Sequence, residues 1–229
     1  MTKKVIKKII LNKFIAEKLQ KVVLNIHTKA YNLSGTLAVA ANDGIHPKHR
    51  IMKYKEWFVD NIQTDWIVLD VGCNTGMMPE AMSQKAKFIY GIEIVQSHIN
   101  EAKIKRQKEN IEFICADATT YDYTPLQTID CVTLSNVLEH IENRVEFLQK
   151  LISQVKWGGK KRFLIRVPMI DREWITVYKK ELGLEYRLDK THFTEYTYEQ
   201  LKNELNDAGI TIQSHHVKFG EIYAVCEAK

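Results

Sequence analysis

The chain reads as a doubly wound α/β fold, with a mostly parallel sheet of seven strands, an antiparallel hairpin at its carboxyl end and a helical cap before it. Three observations predict this. From Ile67 onward, short apolar runs alternate with helix-like stretches, the pattern of βαβ units. A glycine-containing turn, Asp70-Val-Gly-Cys-Asn-Thr-Gly76, follows the first run directly. The last two apolar runs are separated only by Gly220 and its neighbours, which is too short for a crossover, so they should pair antiparallel.

The elements follow in order. Residues 1 to about 60 precede the first strand and begin with a basic, partly amphipathic helix in which Lys3, Lys4, Lys7, Lys8, Lys13, Lys18 and Lys21 are set among Val5, Ile6, Ile9, Ile10 and Phe14. Its ordinary reading is a solvated face, and its functional alternative is weak docking on an anionic membrane surface or on nucleic acid. The parallel strands are expected at Ile67–Val71, Phe88–Ile92, Ile111–Cys115, Ile129–Leu134 and Arg162–Val167. An irregular insertion, about 169–197, separates the fifth strand from a helix over Tyr198–Ala208 that stops at Gly209. The hairpin strands are Ile210–Phe219 and Glu221–Glu227.

Bulk composition sets limits. With 229 residues, 45% hydrophobic and 27% charged, the chain can bury one sizeable core, so a single domain is expected, with 1–60 as cap and 61–229 as α/β core. Four scattered cysteines suggest reduced thiols in the cytoplasm rather than a disulfide framework. No run approaches roughly 18 uncharged apolar residues, and the lysines interrupt any secretory apolar core, so neither membrane spanning nor export is expected. No metal site is expected: there is no Cys-x-x-Cys pair, and the metal-like spacing of His46 and His49 has no acid–histidine cluster to support it. The oligomeric state is left open.

The chemistry gathers behind the first three strands. Gly72 and Gly76 let a ligand approach the backbone closely. Glu93 ends the second strand, 21 residues after Gly72, where a carboxylate can accept both hydroxyls of a ribose. Asp117, in Cys115-Ala-Asp-Ala118, follows the third strand beside the same crevice. Taken singly, Asp70 could serve only a turn, Glu93 only the surface and Asp117 only a helix cap. Their joint placement after three successive strands argues otherwise. The absence of a P-loop lysine disfavours a triphosphate.

These pieces, with Ile129-Asp-Cys-Val-Thr-Leu-Ser-Asn-Val-Leu-Glu-His-Ile141 and Trp157-Gly-Gly-Lys160, resemble the class I S-adenosylmethionine-dependent methyltransferases of small-molecule type, over about residues 60 to 229. The resemblance implies a Rossmann-like sheet and S-adenosylmethionine as cofactor. It implies that Glu93 holds the ribose, Asp117 and the Ala118 amide the adenine, and the Asp70, Gly72, Cys73, Asn74 and Gly76 loop with the Ser135 backbone the methionine moiety. Asn74 stands where glycine is commoner in the family.

On the acceptor side, His192 lies in the insertion and His140 follows the fourth strand. Either could take a proton from an acceptor hydroxyl, and His192 is the first choice, because Asp189 or Glu195, three residues to either side, could orient its ring. The segment Gly44-Ile-His-Pro-Lys-His-Arg-Ile-Met-Lys-Tyr54 is similar to the lid-forming entry of several small-molecule methyltransferases, including enzymes encoded with bacterial surface-glycan genes. That similarity implies Arg50 or Tyr54 at the methionine carboxylate. Nothing resembles the Asn-Pro-Pro-Tyr motif of amino-methylating nucleic-acid enzymes. A small hydroxylated acceptor such as a sugar or glycan precursor is therefore expected, with methylation of RNA or protein, or cofactor binding without transfer, as the alternatives.

Overall fold

The computed structural model describes residues 12–229. Lys3, Lys4, Lys7 and Lys8 of the basic stretch lie outside the described residues. The described chain divides by its contacts into two units. One takes the chain up to Ile51 together with Glu173–Tyr186, and the other takes Met52–Arg172 and Arg187–Lys229.

The first unit is helical. Helix α1 (Lys13–Ala40) starts at Asn12, whose side chain accepts from the Ile15 N–H at 3.2 Å. Helix α2 (Lys48–Met52) follows it in sequence. The first half of the insertion, as helix α7 (Trp174–Glu181), lies against α1: Tyr178 Oη donates to Gln20 at 3.1 Å and the buried Lys179 ammonium donates to Thr28 Oγ1 at 3.0 Å.

The second unit is the sheet. Strands β1 (Ile67–Val71), β2 (Phe88–Glu93), β3 (Ile111–Cys115), β4 (Ile129–Ser135), β5 (Trp157–Pro168), β6 (Ile210–Lys218) and β7 (Glu221–Ala228) lie in the order 3-2-1-4-5-7-6. The β1–β2, β1–β4, β2–β3 and β4–β5 pairs are parallel, and β7 is antiparallel to both β5 and β6. The doubly wound, Rossmann-like sheet expected from the sequence is what the chain forms. Chain direction around the sheet reverses between β1 and β4, and ligands of such sheets bind at that switch point.

Strand β1 is buried along its whole length because both its faces are covered. Alternate side chains supply the two layers: Leu69 and Val71 join Val132, Leu134 and helix α6 (Arg144–Gln154) on one side. Val68 joins Ile89, Phe58 of α3 (Tyr54–Asp60) and Met82 of α4 (Met77–Met82) on the other. The hairpin closes through a two-residue turn at Phe219 and Gly220, both with positive φ, the geometry that matches strand twist. A Cβ on Gly220 would come within 2.6 Å of the Arg172 side chain, so this turn has room for nothing larger. Thr197 and Gln200 form a capping box that starts α8 (Tyr198–Asp207).

Strand β5 begins at Trp157, five residues before the expected Arg162. Its early pairing, Ile129 with Trp157, is followed by a register shift before Cys131 pairs with Arg162. This irregularity lets the Gly158-Gly159 stretch, which reads as loop, extend the strand.

Candidate active site

The site is built at the carboxyl ends of β1, β2 and β4. A cavity of about 1120 Å³ is lined by residues at or after the ends of these strands and of β3, among them Gly72, Asn74, Glu93, Asp117, Val137 and His140.

The turn after β1 is held from below, since the Gly72 and Cys73 N–H groups both donate to Ile92 O, at 2.8 and 3.0 Å. Gly72 has φ +72°, and a Cβ there would meet Val137 Cγ2 at 2.6 Å. Asn74 occupies the left-handed region at φ 48°, which asparagine tolerates better than most residues, and its Oδ1 accepts from the Thr75 N–H at 2.7 Å. The turn thus keeps its shape without a third glycine. Cys73 is buried, and burial pushes its thiol pKa up, so it stays protonated.

Glu93 is clamped at the end of β2. Its Oε2 accepts from the Asn74 N–H at 3.0 Å and its Oε1 from the Val95 N–H at 2.9 Å. Each oxygen keeps a lone pair for a ligand hydroxyl. Asp117 turns the chain after β3: its Oδ1 accepts from the Thr119 N–H and hydroxyl, at 2.8 and 2.7 Å, leaving Oδ2 open. Ala118 lines the cavity beside it.

Asp70 is buried within β1, where its Oδ1 accepts from Thr133 Oγ1 at 2.5 Å and its Oδ2 has no partner among the described residues. Burial raises its pKa to about 7, the Thr133 hydrogen bond opposing and the Glu93 charge adding to the rise. A backbone turn with no room for a Cβ and a clamped carboxylate fit S-adenosylmethionine: its ribose would meet Glu93 and its adenine the Asp117–Ala118 edge, with the buried Asp70 carboxyl behind the turn to supply negative charge toward its ammonium.

Of the other expected residues, Asp70, Cys73, Gly76 and Ser135 stand outside the cavity lining, and Tyr54 has its contacts within the sheet unit. Ser135 ends β4 outside the lining, and its neighbours Asn136 and Val137 reach the cavity instead. Tyr54 is buried in the sheet unit with the Arg166 guanidinium 3.9 Å over its ring, and Arg166 pairs with Glu221 at 3.5 Å. Arg50, in α2, belongs to the helical unit.

The two histidines do come together. The 3-10 turn Leu138–His140 follows β4, and its Glu139 carbonyl accepts from the Phe193 N–H at 2.7 Å, which ties the second half of the insertion to it. The rings of His140 and His192 then stand 4.6 Å apart, nearly perpendicular. His140 and Thr191 line the cavity, whereas His192 is buried behind them. Of the two acids flanking His192, Glu195 takes the orienting role, with Oε1 3.1 Å from His192 Nδ1. Glu195 is itself fixed by Arg172 and the Leu188 N–H. Although burial acts to raise its pKa, the hydrogen bonds from His192, Arg172 and Leu188 outweigh that and hold it below the ordinary value.

Asp189 instead accepts from the Thr191 hydroxyl at 2.8 Å, and that hydroxyl lies 3.0 Å from His140 Nδ1. A hydroxyl has one proton, so it accepts from His140 Nδ1–H. These partners suit a proton on Nδ1 of each ring, the tautomer in which a neutral imidazole carries its lone pair on Nε2. Burial and the neighbouring His192 lower the His140 pKa, which keeps its ring neutral.

Glu139 is not singled out by the sequence. It is fully buried, neither carboxylate oxygen has a hydrogen-bond partner among the described residues, and burial pushes its pKa up to about 8. The only signal for it is its place next to His140, since its burial depends on contacts made by the distant insertion.

Fold and site together define a class I nucleotide-cofactor site of the methyl-transfer kind. A family model described as a methyltransferase domain matches residues 40–215, so the chain belongs to the methyltransferase domain family, whose cofactor here is S-adenosylmethionine. The ubiquinone biosynthesis O-methyltransferase of Bradyrhizobium diazoefficiens is 28% identical over 121 residues, which cover 53% of this chain and 46% of that protein. The chain thus spans about half the length of the curated relatives it matches. Among solved structures, the magnesium protoporphyrin IX methyltransferase of Synechocystis with bound S-adenosylhomocysteine superposes with a TM-score of 0.60 at 19% identity, covering 80% of this chain and 83% of that one. The 1,6-didemethyltoxoflavin N1-methyltransferase of Burkholderia thailandensis gives 0.61 at 12% identity, covering 90% of each chain. These two likenesses concern the fold.

Proposed function

We propose that the chain transfers a methyl group from S-adenosylmethionine to a hydroxyl oxygen of a small acceptor. The observation that carries this is one cavity lined both by Glu93 and Asp117 and by His140 and Thr191. When bound, the cofactor supplies a methyl on a sulfonium, and as the new C–O bond forms the S–C electron pair stays on sulfur. The chain's own task is then alignment and removal of one proton. Glu93, Asp117 and Asp70 fix the donor. His140 Nε2 meets the acceptor hydroxyl and takes its proton, while Thr191 and Asp189 hold the ring from behind.

The Gly44–Tyr54 similarity favours a sugar or glycan precursor as acceptor. The relatives named as O-methyltransferases of ubiquinone biosynthesis favour oxygen as the methylated atom and add quinone precursors to the acceptors worth testing. Among the described residues no helix is long and apolar enough to cross a membrane. We place the reaction in the cytoplasm, with no nucleic acid as partner. The test is incubation of the full chain with methyl-labelled S-adenosylmethionine and pooled sugars, sugar nucleotides and quinone precursors, followed by mass spectrometry. Label in a small hydroxylated product supports the reading. Label only in added RNA or protein overturns it.

A further inference from the structure

We propose that Glu139, His140 and His192 form a binding site for one divalent first-row cation, of the zinc or manganese class, that holds the acceptor oxygen. This rests on the reading of the cavity as the methyl-transfer site. One ligand atom from each of the three residues lies within 4.8 Å of the others, close enough for a modest side-chain adjustment to bring all three onto one ion.

The groups that would orient these ligands are already in place. Metal-bound histidines ordinarily donate their other ring N–H to a carboxylate or a similar oxygen, which fixes the tautomer and turns the lone pair toward the metal. Here His192 Nδ1 is held by Glu195 at 3.1 Å and His140 Nδ1 by Thr191 at 3.0 Å, with Asp189 behind Thr191. With Nδ1 of each ring so engaged, Nε2 is the nitrogen that would ligate an ion. Glu139 is the third ligand, and its two oxygens are buried without a hydrogen-bond partner among the described residues, so both are available to a cation. Two imidazoles and one carboxylate leave coordination positions open, as catalytic zinc sites and two-histidine-one-carboxylate sites do.

The open positions belong at the cavity wall, because His140 and Thr191 line it. With the ion bound, His140 acts through the cation; in the metal-free chain its Nε2 stays the base described above. A hydroxyl held on the cation is more acidic and releases its proton to cavity water. Its oxygen forms the bond to the methyl carbon as the S–C pair remains on sulfur.

The test uses the full chain, stripped with a chelator and titrated with Co²⁺ followed by visible absorption, and with Zn²⁺ followed by calorimetry. The expected result is one ion per chain. Glu195→Gln, which touches His192 alone among the three ligands, should weaken binding about 10- to 100-fold, the usual cost of losing a group that orients a metal ligand. Glu139→Gln, nearly isosteric, should weaken it further while leaving S-adenosylhomocysteine affinity unchanged, which shows that the variant is folded. No stoichiometric ion on the wild-type chain, or equal affinity in Glu139→Gln, overturns the proposal. Failure of S-adenosylhomocysteine to bind overturns the methyl-transfer reading separately, since ion binding is measured without it.

Discussion

Replacing Asp70 with asparagine should stabilise the protein above neutral pH while weakening its hold on the cofactor. Asp70 is a buried carboxyl with one oxygen hydrogen-bonded to Thr133 and the other open. Burial raises its pKa from 3.8 to about 7. An acid raised in this direction contributes stability in full below pH 3.8 and loses it as pH rises to about 7. At 1.36 kcal/mol per pH unit the whole loss is about 4 kcal/mol, of which about 3 falls between pH 5 and 8. The asparagine would keep the Thr133 bond and carry no charge, but its amide would add unmet donors costing about 1–3 kcal/mol. The net gain at pH 8 is then about 1–3 kcal/mol, turning to neutral or a loss at pH 5. Urea unfolding of both proteins at the two pH values reads this directly, and other titrating groups cancel in the difference. A stability difference that does not change with pH would show that Asp70 does not titrate as its burial requires. In parallel, S-adenosylhomocysteine should bind the variant more weakly, by about 1–3 kcal/mol, for want of a charged acceptor.

Gly72→Ala should destabilise the fold by about 1–2 kcal/mol, because it forces alanine into the left-handed region, and should also weaken cofactor binding, because its Cβ meets Val137. Adding Val137→Ala should restore part of the binding in calorimetry while leaving the backbone strain in thermal unfolding; no restoration would mean the contact is not the cause. His140→Ala should lower turnover by about 100- to 10,000-fold with S-adenosylhomocysteine affinity nearly intact. His192→Ala should do the same in single-turnover assays, and full turnover in that variant would reduce His192 to a packing role.

How much of this could be read in advance follows from the range of the interactions. The turn at 70–76, Glu93 and Asp117 were legible because each lies directly at a strand end, and a run of apolar residues marks where a strand ends. The hairpin was legible because Gly220 leaves too little chain for a crossover. Asn74 illustrates a local rule bending without breaking, since a left-handed asparagine does the work of a glycine. What stayed hidden was long-range. Glu139 and His192 are brought together by a backbone hydrogen bond from Phe193, and nothing near Glu139 in sequence announces that its carboxylate is buried. The insertion also reads as one irregular segment, yet its first half packs on α1 and its second half on the end of β4. Tyr54 looked like a residue for the ligand, and its ring instead carries Arg166.

Everything proposed for the cavity depends on Glu93, clamped between the Asn74 and Val95 amides, holding the ribose of S-adenosylmethionine at the end of β2. Isothermal calorimetry with S-adenosylhomocysteine on the wild-type chain and on Glu93→Ala measures this without needing the acceptor. Stoichiometric binding to the wild type and a loss of about 1–3 kcal/mol in the folded variant are expected. Equal affinity in the two proteins, or no binding to either, would mean that Glu93 does not hold the cofactor.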